Sequence, residues 1–222
     1  MRQLKLIAVA VMALAAIAST AATAYGAQAE GFLPKLPGFF IGSGGEGKLE
    51  TLAGTSIVCK ATNILSGTME TDSHGTVDVH YTGCKALGAF AANSKGDGAE
   101  VILAPSLWLL CLIEPKVYGE WIEPRETVIV EVKAAGAKLA VTGGVIGKIT
   151  ENAKSLKKSI SFKATKGDSE PKTCTGMDGK TKTVNQTTEL NANKKPESSG
   201  LTGSATIEAE NKTTEVEIMP GI

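Results

Sequence analysis

The sequence predicts an all-β protein, an antiparallel β-sandwich or partly closed barrel with short connecting turns and at most one short helix. Three observations predict it. Apolar and polar side chains alternate with period two over several short runs. β-Branched residues gather in those runs, while Gly, Asp, Asn and Ser sit between them, where turns need residues that tolerate positive φ. Apolar residues at helical three-and-four spacing are scarce.

The chain of 222 residues opens MRQLKLIAVAVMALAAIASTAATAYGAQAEG. Arg2 and Lys5 precede an apolar run from Leu6 to Ile17 and then small residues, the pattern of a secretory signal. The run is shorter than the ~20 apolar residues of a membrane span, and Ala27-Gln28-Ala29 or Ala22-Thr23-Ala24 supplies the small-x-small site a signal peptidase needs. Cleavage is expected before Glu30, which makes 1–29 a signal peptide. No cysteine closely follows the apolar run, so a lipid anchor is not expected. Residues 30–47, with GFLPKLPGFF followed by Gly42-Ser-Gly-Gly-Glu-Gly47, suggest a flexible entry to a single β-rich domain over 48–222. The roughly 190 residues left after cleavage suffice for one large domain with a real core.

Along that domain, Thr55 to Ala61 places Ile57, Cys59 and Ala61 on one face, and Thr76 to Thr82 places Val77, Val79 and Tyr81 on another. A turn at Asp72 to Gly75 precedes the second run. The apolar stretch Val101 to Ile113 is interrupted by Pro105 and is too short to cross a bilayer as a helix, so no membrane span is expected in the mature chain. Within it Leu107, Leu109 and Ile113 face one way and Trp108, Leu110 and Leu112 the other. A central strand buried on both sides explains this, and a buried helical turn is the competing reading. Thr127 to Lys133 and Lys158 to Thr165 alternate again. Gly96 to Gly98, Gly143-Gly144 and Asp178-Gly179 mark turns, the last being the best hairpin signal. Glu151 to Lys157 is the one plausible short helix. Asn191 to Gly200 is a polar surface loop, and Ser204 to Glu210 and Thr213 to Met219 are two strands joined at Asn211-Lys212. Their Glu208, Glu210, Glu215 and Glu217 would guard an exposed edge.

Exported chains meet an oxidising environment, so Cys59, Cys84, Cys111 and Cys174 are candidates for two disulfides. Three pairings are possible. Adjacent strands favour Cys59 with Cys84; Cys111 with Cys174 would be the second pair, with two free thiols or other pairings as the alternatives. No CxxC pair or zinc-module spacing occurs, so no metal site is assigned.

Lys and Arg number 23 and Asp and Glu 23, and loss of Arg2 and Lys5 leaves a slight acidic excess. Nothing in that balance draws the protein to nucleic acid. His74 and His80 are the only near-neutral bases. With Asp72 and Asp78 they could be imagined around a metal, but Asp78 and His80 share a solvated strand face while Asp72 and His74 belong to a turn. No serine lies in a GxSxG context, and no phosphate-loop, dinucleotide or calcium-loop pattern occurs, so no catalytic residue and no cofactor is assigned. Aromatic residues make up 5% of the chain. Tyr118 and Trp121, in PKVYGEW, are the candidates for a sugar-stacking face, with packing beside the apolar run as the alternative. His74, His80, Tyr118 and Trp121 are thus the candidate binding residues.

The order of features, a signal peptide, TSIVCKA, VHYTGC, VTGGVIGKIT and KSISFKAT, resembles a group of exported, cysteine-containing β-rich proteins of Gram-positive soil bacteria with no known activity. The resemblance implies export and an all-β fold, and no reaction. The expectation is a non-enzymatic β domain, secreted or held in the cell envelope, with a binding or structural role toward an envelope or extracellular partner. A secreted hydrolase, glycosidase-like or esterase-like, is the alternative.

Overall fold

The computed structural model describes residues 31–33, 38–94, 98–150, 155–191, 195–215 and 217–219. The expected signal peptide lies outside them. Regular structure among the described residues is strand, apart from one 3₁₀ turn at Lys133–Ala135. The strands are β1 (Gly31–Leu33), β2 (Gly38–Gly44), β3 (Gly47–Thr51), β4 (Ser56–Cys59), β5 (Ala61–Met69), β6 (His74–Thr82), β7 (Lys85–Ala86), β8 (Phe90–Ala91), β9 (Asn93–Ser94) and β10 (Val101–Glu114). They continue with β11 (Val117–Pro124), β12 (Val128–Val132), β13 (Ala137–Thr142), β14 (Val145–Ile149), β15 (Lys157–Thr165), β16 (Asp168–Glu170), β17 (Thr173–Gly176), β18 (Thr181–Thr183), β19 (Thr187–Leu190), β20 (Glu197–Ala209) and β21 (Glu217–Met219).

Eight strands bond in a closed ring, in the order β2, β5, β6, β10, β11, β14, β15, β20 and back to β2, every pairing antiparallel. Closure leaves these strands no free edge. The ring is not a regular barrel. β14 and β15 share only the pairs Lys148↔Ser161 and Ile149↔Ile160, and register shifts interrupt β2, β5 and β10. Alternation decides which side chains enter it. Val77 and Val79 of β6, Trp108 and Leu110 of β10 and Tyr118 of β11 point inward and are buried together with Phe40, Ile160 and Ile207. Trp108 also donates its indole N–H to the Thr68 carbonyl at 2.8 Å, which satisfies the one polar atom of a buried ring.

A second sheet runs β8, β7, β4, β3, β20, β19, β13, β12, β9. Its core is aliphatic: Ile57, Ile102, Val128, Val130, Leu139 and Val141 pack around Cys59 and Cys84. β20 serves both bodies. Its residues Glu197 to Thr202 pair with β19 and β3, and Gly203 to Ala209 pair with β15 and β2. Gly200, shortly before the changeover, has no room for a side chain, since a Cβ there would lie 2.5 Å from the Ala164 Cβ.

Several expectations need correction. Residues 38–44 are not a flexible entry but strand β2, held between β5 and β20. Phe40 anchors it, edge-on to Trp108 at 5.9 Å between centroids, and the glycines allow close approach instead of looseness: a Cβ on Gly42 would lie 2.7 Å from the Thr206 carbonyl. The 191–200 loop is shorter than expected, because Glu197 already begins β20 and Ser199 is fully buried. The terminal hairpin does not form. Asn211 Oδ1 accepts from the Thr213 and Thr214 backbone N–H groups at 3.1 Å, closing a local turn, and β21 pairs with β1 instead. Of the expected helix, residues 151–154 lie outside the described residues, and Lys157 starts β15. The stretch from Val101 is a strand rather than a helical turn, and its two-sided burial is partial: Cys111 is covered on the outer face while Leu107 stays 47% exposed.

Candidate functional site

The four cysteines form two disulfides, Cys59–Cys84 and Cys111–Cys174. Cys59 ends β4 and Cys84 follows β6, and both lie in the aliphatic core of the second sheet. Cys111 occupies the outward face of β10, where β17 pairs with it through Cys111↔Gly176 and Leu112↔Thr175. This bridge ties the β17–β18 hairpin, turned at Gly179, over Trp121 and Ile146 on the outside of the ring. The chain-entropy model assigns about 3.5 kcal/mol to the shorter loop and about 4.3 kcal/mol to the longer one.

Where the two cores meet, the packing leaves a cavity of about 110 Å³. Its walls come from both sides: Ile64, Val77, Val79 and Ile160 from the ring, Ile57, Val128 and Val130 from the second sheet. A dry cavity of ~150 Å³ with Leu, Ile and Phe walls admits benzene, so this space is of the size that takes a compact apolar group.

Two polar side chains on the cavity wall carry an oxygen without a hydrogen-bond partner among the described residues. One is Glu120 Oε2 and the other Gln186 Oε1. Glu120 sits on β11 between Tyr118 and Ile122, at the inward position of the alternation, opposite Leu110 on one neighbour and Gly147 on the other. Only 3% of it is exposed, and burial pushes its carboxyl up to about 8, so it is mainly the neutral acid at pH 7. Among the described residues it is the only carboxyl on the cavity wall, which has no Lys, Arg or His among them. Gln186 lies just before β19, and its backbone carbonyl accepts from Ser199 N–H at 3.0 Å. Tyr81, which touches both cores, has its phenol pushed up to about 12 by burial.

The residues singled out from the sequence do not converge on this cavity. His74 is exposed at the β5–β6 turn, with Nδ1 2.8 Å from Thr71 Oγ1. His80 is half-buried and shares the outward face of β6 with Asp78, which accepts from Ser66 Oγ at 3.1 Å and lies 3.9 Å from Arg125. Among the described residues no three His, Cys, Asp or Glu are grouped to hold a metal ion. Tyr118 and Trp121 are buried, at 2% and 5% exposure, one in the ring core and one beneath the β17–β18 hairpin, so neither offers a stacking face to solvent. Glu120 and Gln186 were not singled out. The signal for Glu120 was present, an acidic residue at the inward position of Tyr118-x-Glu120-x-Ile122; Gln186 had none, because it lies outside any alternating run.

No protein-family model, no curated protein and no solved structure matches this chain. Among the described residues no helix is long and apolar enough to cross a membrane.

Proposed function

We propose that the protein is an exported, non-enzymatic β domain, secreted or held in the cell envelope, that binds a compact apolar molecule where its two cores meet. The observation that carries this reading is the cavity of about 110 Å³, walled by apolar side chains from both bodies and bearing two polar side chains with unpaired oxygens. Export is supported by the two disulfides and by the basic, then apolar, then small-residue order of residues 1–29. The hydrolase alternative has less support. Glycoside hydrolysis needs two carboxyl groups flanking the bond, and among the described residues Glu120 is the one carboxyl on the cavity wall.

Titration with toluene tests the binding reading. The methyl resonances of Val77, Val130 and Ile160 are expected to shift in a saturable way, and an Ala104→Phe variant, which fills the cavity, is expected to abolish the shifts. Unchanged methyl resonances would remove the reading. Recovery of four unlinked thiols from natively harvested protein would remove the export half of it.

A further inference from the structure

The cavity wall is apolar except for a few groups, and two of those are incomplete. Glu120 Oε2 and Gln186 Oε1 have no partner among the described residues, although both atoms are shut away from bulk water. A buried polar atom without a partner costs about 1–3 kcal/mol, which a bound group recovers by completing the hydrogen bond. The two side chains reach the cavity from opposite bodies, Glu120 from β11 of the ring and Gln186 from the lead-in to β19 of the second sheet.

Resting on the binding reading above, we infer that the ligand is a compact apolar molecule whose one polar group is a neutral hydroxyl, seated against the Glu120 carboxyl and the Gln186 carboxamide. Charge decides against the other head groups. An anion would enter a space whose wall, among the described residues, holds a carboxyl and no Lys, Arg or His. A cation would demand the ionised carboxylate, and transferring two charges into an apolar space costs several kcal/mol per ion before their attraction is counted. A bare hydrocarbon would leave both oxygens unpaired. A hydroxyl both donates and accepts, as does the protonated carboxyl that burial favours at Glu120. Its O–H serves either unpaired oxygen, and its own oxygen accepts from the carboxyl.

Four probes of one shape, toluene, benzyl alcohol, benzylamine and benzoate, titrated at pH 6.5 and followed by methyl resonances around the cavity, test this. Benzyl alcohol is expected to bind at least as tightly as toluene, and the two charged probes at least roughly tenfold more weakly. In Glu120→Leu the affinity for benzyl alcohol relative to toluene is expected to fall by roughly fivefold, Gln186 still offering one acceptor. Should that variant not fold, Glu120→Gln serves, because an amide also offers a donor and an acceptor without charge; it is expected to keep the wild-type order. Toluene binding with benzyl alcohol tenfold weaker would overturn the hydroxyl and leave the cavity reading intact. Tighter binding of benzylamine or benzoate than of benzyl alcohol, an unchanged ratio of benzyl alcohol to toluene affinity in Glu120→Leu, or loss of benzyl alcohol binding in Glu120→Gln would overturn it too. Silence from all four probes would overturn both.

Discussion

The ring and the second sheet share a strand, yet they are filled with different chemistry. The ring holds the aromatic residues Phe40, Trp108 and Tyr118, and it also buries the ionisable side chains Glu120 and Lys158. The second sheet buries Val, Ile, Leu and Ala around a disulfide, and its buried polar groups are neutral, such as Thr188, whose hydroxyl donates to Ser199 Oγ at 3.0 Å. Large rings and ionisable groups need interior width, which eight bonded strands enclose. Short aliphatic side chains suit a sheet of short strands. Where the two fillings meet, neither completes the packing, and the cavity is what remains. Sensitivity to pH therefore belongs to the ring, and the second sheet should be indifferent to it.

The sharpest test of that contrast is a pH series. The Glu120 carboxyl titrates at about 8 in the folded chain against 4.5 for its ordinary value. Between those limits the unfolded chain has lost the proton that the folded chain keeps, so stability falls as pH rises, by up to roughly 5 kcal/mol across the window, and levels off above it. Urea unfolding at pH 5 and pH 8.5 should show the loss in the wild type and a much flatter profile in Glu120→Gln. An equal slope in both would place the pH sensitivity elsewhere.

Removing one bridge at a time compares the two bodies by their covalent closures. Cys111→Ser with Cys174→Ser is expected to cost about 4.3 kcal/mol and Cys59→Ser with Cys84→Ser about 3.5 kcal/mol, read from denaturation midpoints. A reversed order would show that burial of Cys59 and Cys84 in the aliphatic core outweighs loop length. Next come the fillings themselves. Trp108→Ala should cost at least about 3 kcal/mol, since it removes a buried ring and its bond to Thr68, whereas Val130→Ala should cost roughly 2 kcal/mol. Comparable values would erase the distinction between the cores. Smallest of all, Lys163→Ala, which deletes the exposed 3.0 Å pair with Glu170 outside both cores, should change stability by under about 0.5 kcal/mol.

Much of the fold was legible because alternation is a local signal. Val77, Val79 and Tyr81, or Val128, Val130 and Val132, declare their inward face by spacing alone. The disulfide between Cys59 and Cys84 followed from the expected closeness of their segments. What stayed hidden depends on contacts distant in the chain. Nothing near Gly38 to Gly44 says that Thr206 and Ile64 press against it, so its glycines resembled a linker. Nothing near Glu217 points to Leu33 as its partner. The candidate site shows the same limit: Tyr118 and Trp121 were noticed for their rings and turned out to be packing, while Glu120, between them, gained its character only from burial by β10 and β14.

β20 lies later in the chain than every other strand of both bodies. A polypeptide delivered amino end first can form hairpins such as β5–β6 as soon as they emerge, but the ring does not close, and the two halves of the second sheet are not joined, until Glu197 to Ala209 arrives. One late segment thus acts as the zip for the whole molecule. Under the export proposed above, such a delay would keep the chain pliable during passage through a narrow pore and let it set on the far side.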